Sequence, residues 1–187
     1  GLDDKAQGVL RRALVLLSDH ELNPSTCAVR VCASTGGSLP AALLSGIATL
    51  SGPKHGGVAS LTNDALQAAL QGNFDAFLSV NAKMDTYAYG FGHPLYPDGD
   101  PRAKHLLSQI PSDSLALTAA SAVSERIRCV PNIDMALAVF ADQYGCPQDA
   151  ATTIFSIGRV AGWVAHAIEQ VQSGTMIRPR AKYENSP

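Results

Sequence analysis

The chain has 187 residues, of which 46% are hydrophobic and only 16% charged, with a formal net charge of −2. That size and apolar content allow one buried core with at most a small second lobe, and the near-neutral charge gives no electrostatic reason to expect nucleic acid or a membrane as partner. A charged share below the ~25% usual for soluble domains points to surface buried against another subunit.

Helical signals follow one another along the chain. Residues 3–18 place Leu10, Ala13, Leu14 and Leu17 at helical spacing. Asn23-Pro24 opens a second helix over 24–34, where proline suits the first helical position. Ser38 and Pro40 start a third helix over 38–50, closed by Ser51-Gly52-Pro53. Its nearly continuous apolar composition predicts burial on every side. Helices are predicted over 58–71, ending at Gly72, and over 73–86. The glycines and prolines of 88–104 predict an irregular loop. Asp113 is the expected cap of a helix running to about Cys129. Another helix follows Pro131 to Tyr144, and the longest runs from Pro147 to about Gln172. The tail, 175–187, reads as extended. Strand alternation of useful length is absent. Small residues (Ala41, Ala42, Ser45 and Gly46; Gly158, Ala161, Gly162 and Ala165) let helix axes approach closely, so the expected class is all-α.

The four cysteines, Cys27, Cys32, Cys129 and Cys146, show neither CxxC pairing nor metal-ligand spacing with histidine. They read as buried, reduced thiols. No run of 18 apolar residues and no signal-peptide pattern occurs, so the expectation is a cytoplasmic protein.

Three histidines lie in glycine- or proline-marked settings: His20 in Ser-Asp-His-Glu-Leu-Asn, His55 in Gly-Pro-Lys-His-Gly-Gly and His93 in Gly-Phe-Gly-His-Pro-Leu-Tyr. Flanking glycines permit unusual backbone angles and close approach of a ligand. Each histidine could equally be an ordinary turn residue. His105 and His166 sit in helical segments and read as packed or hydrogen-bonded in place. The histidines have no metal-ligand spacing, and Gly-Pro-Lys-His-Gly-Gly lacks the spacing of a phosphate loop. Asp134, in the first turn of an apolar helix, is either an acid favoured by the helix N-terminus or a carboxylate whose proton affinity an apolar pocket raises, as a general base needs. Arg159 interrupts the apolar face of the longest helix, and a buried guanidinium requires an anion or several acceptors. Arg102 and Arg178 could converge with it on a di- or tricarboxylate, or each could serve an ordinary salt bridge.

Taken together, these strings resemble the citrate synthase family. They are residues 18–23, 52–57, 90–96, 100–103 (Asp-Pro-Arg-Ala), 131–134 (Pro-Asn-Ile-Asp), 158–166 and 177–183 (Ile-Arg-Pro-Arg-Ala-Lys-Tyr). They follow the family's order and cover nearly the whole chain. The resemblance implies a citrate synthase-like helical bundle: part of a large domain (1–57 and 150–187) and a small mobile lobe (58–149), with the N-terminal portion of the family fold absent. It implies a transferase that condenses acetyl-CoA or propionyl-CoA with oxaloacetate, giving citrate or 2-methylcitrate and CoA, as in the tricarboxylic acid cycle. His55 would stabilise the thioester enol, Asp134 would take the methyl proton and His93 would polarise the ketone. His20, Arg102 and Arg159 would bind carboxylates, while Gly90, Phe91 and Gly92 would help form the coenzyme A pocket. Arg178 would enter the partner's site in a homodimer. The coenzyme A thioester is then a substrate, and neither a resident cofactor nor a metal is called for. Two other readings suit the same residues: a module that cleaves citryl-CoA, and a non-catalytic ligand-binding or dimerisation domain. After Asp134 the chain runs Met-Ala-Leu-Ala, where many family members carry an aromatic pair, so the acyl pocket is expected to differ in shape.

Overall fold

Most helices begin where the sequence supplies a cap. In the computed structural model, which describes residues 1–182, Asp3 accepts from the Ala6 N–H and starts α1 (Asp4–Leu17). Asn23 accepts from the Thr26 N–H and starts α2 (Pro24–Ser34), and Ser38 starts α3 (Leu39–Leu50). α4 (Val58–Leu70) and α5 (Phe74–Val80) lack a side-chain cap. Asp100, Ser114 and Asn132 cap α6 (Pro101–Leu107), α7 (Leu115–Ile127) and α8 (Ile133–Gln143). The longest helix, α9 (Ala150–Ser173), ends at Gly174 with φ +63°, a left-handed position that glycine adopts without strain. The fold is all-α: among the described residues the only β-type pairs are two isolated bridges. Tyr183, the last residue of the 177–183 string, lies outside the described residues.

Several boundaries differ from expectation for local reasons. The helix expected over 73–86 stops at Val80, where the Asn81 side chain donates to the Phe77 carbonyl, and a 3₁₀ turn follows at Thr86–Tyr89. The 88–104 loop gives way to α6 at Pro101, because Asp100 and a proline at the first position make a helix start. Ser114, not Asp113, caps α7, through its hydroxyl and the Leu117 N–H at 3.2 Å. α9 starts three residues after Pro147, which begins a turn closed by the Ala150 N–H.

α8 forms the centre of the larger core. Nine consecutive residues, Ile133–Ala141, are buried. Val9, Ala13 and Leu17 of α1, Leu66 of α4, Phe91, Leu106 of α6 and Val123 of α7 pack in the same cluster. A smaller cluster joins Val29 and Ala33 of α2, Ala42 and Leu50 of α3, and Trp163 and Ala167 of α9. α3 is therefore not buried on every side. It packs on α2 and α9, and Leu44 and Ile47 on its outer face are exposed. Of the small residues, Ala42, Gly46, Gly158 and Gly162 are buried at contacts, whereas Ala41, Ala161 and Ala165 face outwards. A Cβ on Gly46 would meet Val29 Cγ2 at 2.7 Å and the Trp163 ring at 3.1 Å. The cysteines are free, but Cys27 is exposed, its thiol donating to the Leu22 carbonyl (3.2 Å) at the surface, and the other three are half-buried rather than buried.

Candidate active site

Several chain segments converge on one cavity of about 420 Å³. Its lining includes His20, His55, His93, Arg102, Asp134 and Arg159. These residues are far apart in sequence, and local backbone devices bring them together.

His93 and Asp134 meet because the 90–92 segment is stitched to the start of α8. The Gly92 N–H donates to the Val130 carbonyl (2.8 Å), and the Asn132 N–H donates to the Gly90 carbonyl (2.9 Å). The Asn132 side-chain amide donates to the Gly92 carbonyl (3.0 Å), while its oxygen accepts the Asp134 N–H (3.0 Å). Gly90 has φ +97°, and a Cβ there would lie 2.7 Å from Thr62 Cγ2, so both its conformation and its surroundings require glycine. Arg102 is placed by Asp100, whose carboxylate accepts from Nε (2.9 Å) and Nη2 (2.8 Å). That same carboxylate accepts the Ile133 N–H (3.1 Å), which ties α6 to the N-terminus of α8. Burial alone would raise the Asp100 pKa, but hydrogen bonding to Arg102 holds it below its ordinary value.

The three histidines have distinct settings. His93 Nδ1 accepts the Leu95 N–H (3.2 Å), so in the neutral ring the proton sits on Nε2. His20 Nε2 lies 2.9 Å from the Tyr96 hydroxyl, and its ring meets that of His93 edge-on with centroids 5.2 Å apart. His55 Nε2 lies 2.9 Å from the Ser25 hydroxyl, which itself donates to Asn23 Oδ1 (2.8 Å). Burial and nearby arginines disfavour the charged form of all three rings. His20 is brought down to about 4 by burial and then Arg102, while His55 and His93 are lowered by burial and by Arg159 and Arg102 respectively.

Asp134 is buried, and burial pushes its pKa up to about 6 against the opposing pull of Arg102. Arg159 is 1% exposed and donates from Nε to the Leu17 carbonyl (2.7 Å). Among the described residues its two terminal nitrogens are buried without a hydrogen-bond partner, and burial lowers its pKa to about 10. A guanidinium left unsatisfied at the wall of a cavity is a site waiting for an anion. The arrangement therefore offers two cations and neutral imidazole donors for an anionic carbonyl compound, beside a carboxylate able to take a proton near neutral pH.

The other predicted residues lie elsewhere. Gly90 and Phe91 are buried and Gly92 is half-buried, and all three sit behind the cavity rather than on its lining. Arg178 is exposed on the extended tail. His166 is hydrogen-bonded, to Asp19 and Arg30, whereas His105 is exposed on the last turn of α6 rather than packed. Sequence reasoning missed Tyr87 and Phe155 on the lining and Tyr96, Ser25 and Asp100 behind it. Tyr96, three residues past His93, and Asp100, beside Arg102, lay within strings already singled out; Ser25 and Tyr87 carried no such signal.

Residues 1–180 match the family described as citrate synthase, C-terminal domain. Citrate synthase 2 of Bacillus subtilis is 33% identical over 187 residues, covering 92% of this chain and 49% of that protein. The chain thus spans about half the length of the curated relatives it matches. Among solved structures, citryl-CoA lyase from Hydrogenobacter thermophilus superposes with a TM-score of 0.84 at 27% identity, covering 99% of this chain and 79% of that one. Citrate synthase from Thermoplasma acidophilum, in ternary complex with carboxymethyl coenzyme A and oxaloacetate, gives 0.77 at 28% identity, with 100% and 54% covered.

Proposed function

The chain belongs to the citrate synthase family, and on that premise we propose that it condenses acetyl-CoA or propionyl-CoA with oxaloacetate, releasing citrate or 2-methylcitrate and CoA. The observation that carries this reading is the cavity itself: a buried carboxylate of raised proton affinity faces neutral imidazoles and a buried guanidinium with two unsatisfied nitrogens.

Arg102, Arg159 and His20 bind the carboxylates of oxaloacetate. His93 donates its Nε2–H to the ketone oxygen. The Ser25 hydroxyl donates to Asn23 Oδ1 and lies 2.9 Å from His55 Nε2; turned from Asn23 to donate to His55, it would leave the ring proton on Nδ1, where it can stabilise the thioester enol. Asp134 removes the proton alpha to the thioester. The new carbon–carbon bond forms at the ketone carbon, whose oxygen takes the proton offered by His93. Water then cleaves the thioester and CoA leaves. The methyl group of a thioester is a very weak acid, so base, enol donor and excluded water must act together. Closure of 58–149, the small lobe, against 1–57 and 150–187 would exclude that water. A homodimer in which Arg178 enters the partner's site completes the proposal, and the exposed apolar residues Leu44 and Ile47 of α3 and Ile168 and Val171 of α9 fit a protein that buries further surface on assembly.

The likeness to a citryl-CoA lyase favours one second reading, in which the same groups run the carbon–carbon step backwards. The test is thiol release measured with acetyl-CoA or propionyl-CoA plus oxaloacetate, beside an arm that follows acetyl-CoA formation from citryl-CoA. Condensation predicts CoA release that requires oxaloacetate. Acetyl-CoA from citryl-CoA without net citrate synthesis would replace it with the lyase reading, and inactivity in both arms would reject both.

A further inference from the structure

The turn that carries His20 is strained, and α9 grips the residues just before it. Glu21, the next residue, has φ +53°, a conformation that a residue bearing a side chain keeps only where its surroundings enforce it. A Cβ on Gly158 would lie 2.8 Å from Leu17 Cβ, and one on Gly162 would lie 1.9 Å from the Ser18 carbonyl oxygen. Arg159, between them, holds the Leu17 carbonyl. One turn further along, His166 Nε2 lies 3.0 Å from Asp19 Oδ1, in the residue that precedes His20.

The direction of that last contact follows from Arg30 of α2. Its Nη1 lies 3.0 Å from His166 Nδ1, while its Nε donates to Gln170 (3.0 Å) and its Nη1 also pairs with Glu169. A guanidinium only donates. His166 Nδ1 must therefore accept, so Nε2 carries the proton and donates to Asp19. Neither His166 nor Arg30 lines the cavity. We propose that His166, oriented by Arg30, is a positioning residue: by holding Asp19 it fixes the strained turn and aims the His20 ring at the oxo acid. This rests on the function proposed above.

The test compares the full chain with His166→Gln, His166→Ala and Asp19→Ala. Glutamine reproduces the pattern, with an amide oxygen for Arg30 and an amide N–H for Asp19. Asp19→Ala cuts the same link at a side chain that is 58% accessible, so it leaves the core untouched if His166→Ala fails to fold. Both alanine variants should raise the KM for oxaloacetate about tenfold, and His166→Gln should stay within about twofold of the parent. In parallel, the His20 ring resonance, assigned by its absence in His20→Asn, should shift in the alanine variants and return in His166→Gln. An unchanged KM in the alanine variants, or a loss that glutamine does not restore, overturns the proposal. If the parent neither binds nor turns over oxaloacetate, the proposed function fails; the His20 resonance then decides alone, and a resonance unmoved by Asp19→Ala and His166→Ala rejects the positioning role.

Discussion

Asp134 sits in the first turn of α8 and is followed by seven buried residues, Met135–Ala141. Its pKa of about 6, against an ordinary 3.8, means that the folded state holds this proton more tightly than the unfolded chain does. The sign follows by linkage. The contribution to stability is fully present below pH 3.8 and is lost as pH rises through about 6, a difference on the order of 3 kcal/mol. Asp134→Asn should therefore melt higher than the parent at pH 8 and about the same near pH 4, while losing CoA release at every pH. Melting curves across that range check it, and a variant less stable at pH 8 would mean that Asp134 is a structural acid rather than a held base. In the parent, turnover should fall as pH drops through about 6, where the base takes up its proton. At this scale the candidate site was partly legible. His20, His55, His93 and Asp134 stand in short strings of unusual composition. Ser25, Tyr87 and Phe155 do not: a serine in a first helical turn, a tyrosine in a 3₁₀ turn and a phenylalanine on a helix are ordinary until folding brings them to one cavity.

α9 carries the positional information of the fold. Gly158, Arg159, Gly162, Trp163 and Ala167 form one buried stripe along it, and the two glycines let it lie directly on the end of α1. Gly162→Ala would drive a Cβ into the Ser18 carbonyl oxygen at 1.9 Å, a backbone atom that cannot turn aside. Overpacking of that kind should cost about 3 kcal/mol or more, read as a fall in melting temperature. Ala161→Ser, on the exposed side of the same helix, should leave it nearly unchanged. A Gly162→Ala variant as stable as the parent would contradict the close approach. Helix type and order were readable from spacing and caps, but which helix lies at the centre was not. α3 and α8 are both strongly apolar, and only the tertiary arrangement surrounds α8 while leaving Leu44 and Ile47 of α3 outside. Composition says how much a helix can bury, not how many neighbours it meets.

At the scale of the whole molecule, the chain corresponds to about half the length of its curated relatives, and Arg178 stands exposed on the tail, away from the cavity of its own chain. A shared site makes a specific prediction. Arg178→Ala and Asp134→Asn should each be inactive alone. When the two chains are made together, half of the dimers are mixed and each carries one intact site of two, so about a quarter of the parent activity should return. No recovery in mixed dimers would place Arg178 outside the partner's site. The most direct measurement of the central claim is proton exchange at the acyl carbon. Acetyl-CoA is incubated in deuterated water with the protein and a dicarboxylate that fills the oxo-acid site without reacting, and the methyl signal is followed by NMR. The account predicts that deuterium enters the methyl group, faster as pH rises through about 6, and that Asp134→Asn stops it. Exchange that persists in Asp134→Asn, or none in the parent with both ligands bound, would contradict it.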